Sequence, residues 1–278
     1  MQLTLFGIHY IKGEDSMPKL FGIVDYVLFS VQRAQATIKN SGYFDFQNYS
    51  EFRKYIIFPW TKFSIGGINY ELPGDPHQTF RYCKMNSEKK YEEGDELCNG
   101  WLSLGDHLFV DRVSYHFREP RRGDVVVFVT EGLPCRDRGY FYIKRLMGMP
   151  GDTLKIVESQ LYVKEKDSDE FVPASKLGIS HIDKIYSGKG AYHGHLAVGL
   201  LSEGCELYIP KNSYFMLGDN SVNSSDSRAW GFVPRQNIIG RAFIVFWPFS
   251  RRWGLVDTKM PLDIPDSLEN GLETMEMQ

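Results

Sequence analysis

Lys144 is the first candidate for a catalytic side chain, because it lies among apolar residues in the sequence. Lys144 lies within residues 140–152, where aromatic and aliphatic side chains surround it. In one interpretation it is an exposed strand lysine that protects a sheet face. In the other, apolar neighbours bury the amine, which then loses its proton near neutral pH and acts as a base. That change in pKa, from about 10.4 to about 7, corresponds to roughly 4 to 5 kcal/mol and requires burial. Both interpretations are open.

A second segment, residues 217–234, carries more polar side chains than a plain turn needs. Thirteen of its positions are Gly, Asp, Asn, Ser, Arg, Trp or Pro. Asp226 and Arg228 can form an ion pair, and Ser224 can donate or accept a short hydrogen bond. The segment is either an Asx- and Ser-rich loop that satisfies its own backbone, or a support that positions a reactive group.

Metal ligands are the third kind of chemistry to consider. His193 and His195 flank Gly194 and could share a metal ion, but no third ligand is evident, so a surface loop is the preferred interpretation. We therefore predict no metal and no cofactor. The chain has four cysteines: Cys83, Cys98, Cys135 and Cys205. Three disulfide pairings are open in an oxidising compartment, and four free thiols are equally ordinary.

The elements that must position these side chains are mostly strands. Short β-prone runs bounded by Gly, Pro and Asp predict strands at residues 107–115, 125–129, 140–147, 153–157, 160–163, 206–209, 214–217 and 238–247. This pattern favours an all-β, barrel-like or coiled-sheet domain. The first hundred residues are different, because residues 25–39 predict a helix of moderate amphipathicity and Gly- and Pro-broken segments follow it.

Composition excludes several classes of protein. With 278 residues, 42% of them hydrophobic, the chain can bury a substantial core, so disulfide scaffolds, collagens and disordered chains are excluded. The net charge of −3 predicts no nucleic-acid partner, which would need a concentrated basic face. As written, the chain has no apolar run of 18 residues and does not begin with a secretory signal.

Four segments of the chain together resemble type I signal peptidases, the membrane-bound Ser/Lys proteases that remove signal peptides from exported proteins. In the family's order they are GDHLFVD at 105–111, RGDVVVF at 122–128, IKRLMGMPGD at 143–152, and GDN through DSRAWGFVP at 218–234. They span most of residues 100–250, and the last two are long and specific. The resemblance implies a mainly β fold of coiled antiparallel sheets, in which an extended substrate binds along a strand edge.

The resemblance also implies roles for individual residues. Lys144 matches the general base, whose neutral amine takes the proton of a serine and later protonates the leaving amine. Ser224 matches the serine that orients this lysine. The residues that match the family's supports of the loop are Asp219, Asn220, Asp226 and Arg228. The residues that match the lining of the substrate cleft are Tyr142 and Ile143. The expected specificity is for small side chains on the acyl side of the cleaved bond, in an Ala-x-Ala pattern.

The nucleophile departs from the family's pattern. Its motif, Ser-Met-x-Pro-Thr-Leu, is absent from its usual place about eight residues before the first match. Residues 1–8 resemble the motif from its Met onward, with Leu3 where proline is usual. On this interpretation the chain is truncated just after the serine, lacks the membrane anchor, and is inactive as written. Ser16 is a second candidate, although Glu14 and Asp15 would favour a protonated lysine. The third interpretation is a relative without the serine.

The resemblance implies a remnant of the serine motif at 1–8, an insertion with a helix at 9–99, and the catalytic β domain at 100–163 and 205–256. Composition adds a small insertion or lid at 164–204, which is rich in Lys, Gly and Ser, and an acidic tail at 257–278. The implied function is endoproteolytic removal of signal peptides from preproteins by a monomer on the extracytoplasmic side of the cell membrane, in contact with the lipid surface. The alternative is an inactive, peptide-binding relative.

Overall fold

A computed structural model describes residues 5, 9–13, 30–54, 58–135, 139–179, 182–188, 192–222, 224–248 and 253–256. The chain forms two compact units. The larger unit comprises residues 1–7 and 106–278, and the smaller unit comprises residues 8–105. In both units the described strands pair in antiparallel sheets, which confirms the mainly β fold class.

The smaller unit contains seven strands and one helix among its described residues: β1 His9–Lys12, β2 Val31–Thr37, β3 Gly42–Lys54, β4 Phe58–Ile65, β5 Ile68–Pro73, helix α1 Pro76–Tyr82, β6 Lys90–Tyr91 and β7 Glu96–Ser103. The strands form two sheets, in the orders β1-β7-β2 and β5-β4-β3-β6. Helix α1 begins after a capping aspartate. Asp75 caps it by accepting a hydrogen bond from the backbone N–H of Gln78 at 2.9 Å, and a proline opens the first turn.

The helix predicted over residues 25–39 is wrong for the part of it that the structure describes. Val31–Thr37 is strand β2, which pairs antiparallel with β7, with Arg33 opposite Trp101. Residues 25–29 lie outside the described residues. The Ala, Gln and Arg of this segment favour a helix locally, but pairing with a strand more than 60 residues away satisfies the backbone and buries Val31 and Ala34.

The larger unit is built from eleven described strands and two short α-helices: β8 His107–Asp111, β9 Val125–Val129, β10 Phe141–Gly148, β11 Thr153–Val157, β12 Gln160–Lys164, β13 Val172–Pro173, α2 Ile182–Ile185, β14 Leu207–Tyr208, β15 Ser213–Leu217, α3 Ser227–Trp230, β16 Val233–Pro234, β17 Ile238–Trp247 and β18 Gly254–Leu255. One sheet has the order β16-β15-β10-β9-β17-β18, with β8 also pairing β17. The other has the order β13-β12-β11-β14.

The predicted strands of this unit are present, and those at 125–129, 153–157 and 238–247 have the predicted bounds. The strand predicted over 107–115 is too long. It ends at Asp111, whose carboxylate accepts hydrogen bonds from the backbone N–H groups of Val113 and Ser114 at 3.0 Å each. These bonds turn the chain into a short 3-10 helix at Ser114–His116.

Strand β9 holds the centre of the larger sheet. Its sequence, VVVFV, is apolar throughout because β10 and β17 flank it and both its faces are buried. Beside it, β10 carries Lys144, and β15 leads into the polar loop that begins at Gly218. Strands β10 and β15 are neighbours in the sheet. Their pairing brings together the two segments that the sequence singles out as candidates for catalysis.

The segment predicted as an insertion or small lid, residues 164–204, contributes to a core. Four of its side chains are buried in one cluster with Leu154, Leu161 and Phe215 of the neighbouring strands: Ala174, Ile182, Ile185 and Leu201. Three further 3-10 helices lie at Ala174–Lys176, Gly199–Leu201 and Arg235–Asn237. In the described part of the chain, every helix is too short or too polar to cross a membrane.

Candidate active site

The centre of the candidate site is a contact between Lys144 and Ser224. Lys144 lies on β10, opposite Val126 of β9, and its Nζ donates a hydrogen bond of 3.1 Å to the Oγ of Ser224. Both side chains are half-buried. The two residues are 80 positions apart in the chain, so the folding of β10 and β15 into one sheet creates the contact.

Burial lowers the pKa of Lys144, and the nearby positive charge of Arg228 lowers it further. The carboxylates of Asp226 and Asp219 oppose these effects without reversing them. Among the described residues, no carboxylate lies within ion-pair distance of Nζ. The amine is therefore in a setting that favours release of its proton, and its polar partner is a neutral hydroxyl.

Asp226 does not hold the proton on Lys144, because Arg228 pairs with it. The guanidinium Nε and Nη2 of Arg228 donate to the two carboxylate oxygens of Asp226, both at 2.8 Å. The backbone N–H of Gly218 donates to the same carboxylate at 3.0 Å. Burial alone would raise the pKa of Asp226, but these partners and a hydrogen bond with Ser224 hold it below its ordinary value. A chain of contacts thus runs from Lys144 through Ser224 and Asp226 to Arg228.

Arg228 is itself fixed from the side away from Asp226. Its Nη1 donates to the carbonyl of Leu196 at 3.1 Å, and its Nη2 donates to the carbonyl of Ser221 at 2.9 Å. Nη1 also contacts the Ser221 hydroxyl, which in turn accepts from the backbone N–H of Leu196 at 2.8 Å. The segment around Leu196 therefore braces the loop that carries Ser224, a role that its sequence did not indicate.

A second buried ion pair, between Arg145 and Asp219, lies beside the first. The Nε and Nη2 of Arg145 each donate to one carboxylate oxygen of Asp219 at 2.9 Å, and its Nη1 donates to the carbonyl of Gly123 at 2.9 Å. The sequence interpretation named Asp219 as a supporting residue but missed Arg145. The available signal was alternation. If Lys144 faces the site, the next residue of the strand faces the opposite side, where a buried guanidinium needs a carboxylate. Asn220 is buried in the same turn.

Tyr142 and Ile143, the residues predicted to line a substrate cleft, lie on the stretch of β10 that pairs with β9. Residues Phe141–Arg145 pair with β9, whereas pairing with β15 begins at Arg145. The Tyr142 ring lies 5.8 Å from Lys144 Nζ. Both residues thus lie next to the lysine on the same strand.

The candidate nucleophiles lie largely outside the described residues. Ser16 is among them, as are residues 1–4 and 6–8. Leu5 is described: it is buried in a cluster with Val125, Val127, Ala242 and Val245, against which Ile143 packs. Leu5, the described residue of the segment that resembles the serine motif, thus contacts the core beneath the strand that carries Lys144.

The histidine pair does not form a surface loop as predicted. His193 is exposed, but His195 is buried and its Nδ1 lies 2.7 Å from the hydroxyl of Tyr186. Burial and the charge of Arg228 lower the pKa of His195 to about 4. The prediction failed because the burial of His195 depends on α2 and β12 packing around it. Its own backbone N–H, for example, donates to the carbonyl of Ser159 at 2.8 Å.

Comparison with known proteins adds an independent finding. The model of a signal peptidase family, peptidase S26, matches residues 100–247. A probable signal peptidase I-2 of Synechocystis sp. is 34% identical over 157 residues, which are 56% of this chain and 62% of that protein. Signal peptidase I of Leptolyngbya laminosa is 37% identical over 153 residues, or 54% of this chain and 64% of that protein. The chain thus spans less than two thirds of the length of these relatives.

A solved signal peptidase I from Enterococcus faecalis V583 is also similar. It is 26% identical, covers 45% of this chain and 97% of its own, and superposes with a TM-score of 0.32.

Proposed function

Because the chain belongs to the signal peptidase family, peptidase S26, we propose that it removes signal peptides from exported preproteins with a Ser/Lys dyad in which Lys144 is the general base. One observation carries the proposal. The Lys144 amine is half-buried, its described polar partner is the Ser224 hydroxyl, and the nearest acidic side chains are paired with arginines. An amine in this setting can be neutral at a pH where an exposed lysine is protonated.

The proposed chemistry uses the contacts around this amine. Neutral Lys144 takes the proton of the serine nucleophile as the serine oxygen attacks the carbonyl carbon of the scissile bond. The resulting ammonium then gives its proton to the leaving amine, and the neutral amine activates the water that hydrolyses the acyl-enzyme. Ser224 accepts a hydrogen bond from Nζ and so directs the amine, while Arg228 keeps the charge of Asp226 from holding the lysine protonated.

The proposed substrate is an extended peptide that binds along a strand edge beside Lys144, as the family resemblance implies. Backbone hydrogen bonds along a strand edge bind a peptide with little dependence on its sequence, and pockets for alternate side chains supply the selectivity. Tyr142 and Ile143 lie on β10, next to Lys144. We propose that small side chains on the acyl side of the cleaved bond fit against them.

Two segments are candidates for the nucleophile. The packing of Leu5 supports the one that leads into residues 1–8, since Leu5 stands where the serine motif has its leucine and packs in the cluster beneath Ile143. Ser16 is the other candidate. The alternative function, an inactive relative that binds peptides along the same strand edge, differs from the proposal in the nucleophile and not in the binding surface.

We further propose that the larger unit contacts a lipid surface on the extracytoplasmic side of the membrane and acts as a monomer. Aromatic side chains on β8 and β17 support the contact. Phe109 and Phe246 are partly or largely exposed, with ring centroids 4.4 Å apart, and Trp253 next to β18 is also exposed. Such side chains are typical of surfaces that meet the membrane interface.

A cleavage assay tests the proposal. The chain, preceded by a segment that ends in serine, is incubated with a preprotein in detergent micelles, and the new N terminus of the product is identified by mass spectrometry. We expect cleavage after a small residue, its loss in Lys144→Ala, and its retention in Lys155→Ala, a half-buried strand lysine of β11. Retention in Ser16→Ala would assign the nucleophile to the preceding segment. Peptide binding without cleavage would support the inactive relative instead.

A further inference from the structure

Two of the four cysteines lie in one hydrophobic core of the smaller unit. Cys83 ends helix α1 and Cys98 lies in β7. Both side chains are buried in the same cluster, together with Phe44, Phe63 and Leu72. Both are thiols in this structure. Their sequence separation of 15 residues gave no reason to prefer this pair, because three pairings were equally open.

Tyr10 contacts the residue next to each of the two cysteines in the chain. The ring of Tyr10 stacks on the ring of Tyr82, the residue before Cys83, with centroids 4.8 Å apart and an interplanar angle of 7°. The hydroxyl of the same Tyr10 accepts a hydrogen bond of 2.9 Å from the backbone N–H of Asn99, the residue after Cys98. The end of α1 is thereby fixed over β7 at the level of the two thiols.

The two thiols also interact with each other. Burial raises the pKa of Cys83, and hydrogen bonding with Cys98 raises it further. The same hydrogen bond is the largest effect on Cys98 and lowers its pKa. This interaction agrees with the geometry, which puts both side chains in one buried cluster and their chain neighbours on the same Tyr10 side chain.

We propose that Cys83 and Cys98 are a disulfide site, which closes by exchange with a disulfide oxidant when the smaller unit folds in an oxidising compartment. The burial of both thiols in one cluster is a property of this unit, while the expectation of an oxidising compartment rests on the proposed extracytoplasmic function. The bond would link α1 to β7 and close the loop of residues 84–97, which contains the charged run 88–96.

The chemistry balances with one equivalent of oxidant. One of the two thiols, for example that of Cys98, loses its proton, and its sulfur attacks one sulfur of the oxidant's disulfide, which expels a first thiolate and leaves a mixed disulfide on Cys98. The Cys83 thiol then loses its proton and attacks the Cys98 sulfur, which expels the second thiolate. The protein loses two electrons and two protons, and the oxidant becomes two thiols. Since both cysteines are buried in the folded unit, the exchange takes place before the core has closed.

Peptide mapping tests the site directly. The full chain is unfolded with its thiols reduced, refolded with oxidised and reduced glutathione, alkylated, and digested with trypsin without reduction. Cys83 falls in the tryptic peptide 82–84 and Cys98 in the peptide 91–112. We expect these two peptides to be joined, with Cys135 and Cys205 alkylated. The joined peptides should separate when the digest is reduced.

Variants supply the second measurement. The double variant Cys83→Ala/Cys98→Ala should show no joined peptide, and the melting temperature of the smaller unit should no longer depend on reductant. In the parent chain, reduction in denaturant before refolding should lower this temperature by on the order of 10 °C, as expected for a short closed loop. The matched control, Cys205→Ser, changes an exposed cysteine and should behave as the parent chain does.

Two results would overturn the proposal: four alkylated cysteines after oxidative refolding, or a disulfide that joins Cys83 or Cys98 to Cys135 or Cys205. Both are independent of peptidase function, because the readout is a covalent bond and not cleavage. A chain that forms the bond but cleaves no preprotein would refute the proposed function and leave this site standing.

Discussion

Gly218 lies so close to Ser224 that any side chain on it would collide with the Ser224 hydroxyl. A Cβ atom built on Gly218 would be 2.0 Å from the Oγ and 2.6 Å from the Cβ of Ser224. Gly218 also donates its backbone N–H to Asp226. The glycine therefore sets the position of the serine that contacts Lys144, and a methyl group there can be accommodated by displacement of Ser224.

The first prediction follows from this crowding. In an active chain, Gly218→Ala should lower kcat/KM by about 100-fold, because an ångström of displacement at a catalytic group costs on this order. Steady-state kinetics with a signal-peptide substrate measures the effect. The control is Gly178→Ala in the same unit: its backbone has a φ of +66° but its added Cβ meets no atom within 4 Å. Wild-type kcat/KM in Gly218→Ala would show that the position of Ser224 is unimportant.

The second prediction concerns the pH dependence of cleavage. Burial lowers the pKa of Lys144, so the fraction of neutral amine, and with it kcat/KM, should rise with pH through an apparent pKa below the ordinary value of about 10.4. Lys144→Arg should be inactive throughout, since a guanidinium does not lose its proton in this range. The measurement is kcat/KM against pH, with the Lys144 pKa determined by NMR. A pKa near 10.4, or cleavage by Lys144→Arg, would exclude Lys144 as the base.

The sequence correctly predicts the strands whose limits are set by residues close to them in the chain. Strands such as Thr153–Val157 are bounded by turn residues that any short window contains. Strand Val31–Thr37 was mistaken for a helix because its partner, β7, lies more than 60 residues away. A local pattern cannot show which backbone will supply the missing hydrogen bonds.

The residues of the candidate site also fall into two groups: those that a local motif identifies and those whose role depends on burial. Lys144 and Ser224 were identified through motifs, and the structure places them in contact. Arg145 was missed and His195 was placed in a surface loop, because the importance of both arises from burial: Arg145 pairs with Asp219 across 74 residues, and His195 is enclosed in the folded chain. Side chains that act through such buried contacts leave little trace in a single sequence.

The third prediction uses the ion pair behind Ser224. Removing the charge of Asp226 leaves Arg228, which lowers the pKa of Lys144, without its partner. Asp226→Asn should therefore move the rise of kcat/KM to lower pH, whereas Arg228→Gln should move it to higher pH because an unpaired carboxylate then favours the ammonium. The pH profiles of the two variants measure this difference in sign.

Stability is the second readout for this pair. Both residues are buried, so either single variant should lose about 3 to 5 kcal/mol in free energy of unfolding, measured in urea. The conservative variant Arg228→Lys keeps the positive charge and should lie between these variants and the parent. Identical shifts of the pH profile in Asp226→Asn and Arg228→Gln would show that the pair stabilises the loop without tuning Lys144.

The last prediction concerns acid stability and His195. Its pKa falls from an ordinary 6.5 to about 4 in the folded chain, chiefly through burial. Between these two values the unfolded chain binds more protons than the folded chain, so the free energy of unfolding rises with pH in this window and is lost on acidification. The difference in pKa corresponds to about 3 kcal/mol.

His195→Gln, which has no proton to gain, should lack this contribution, so its stability relative to the parent should increase by about that amount as the pH falls from 6.5 to 4. Chemical denaturation at a series of pH values measures the difference, and His193→Gln, at an exposed position two residues earlier, should follow the parent's curve. If the parent and His195→Gln lost stability in parallel on acidification, His195 would not be a buried neutral imidazole in the folded chain.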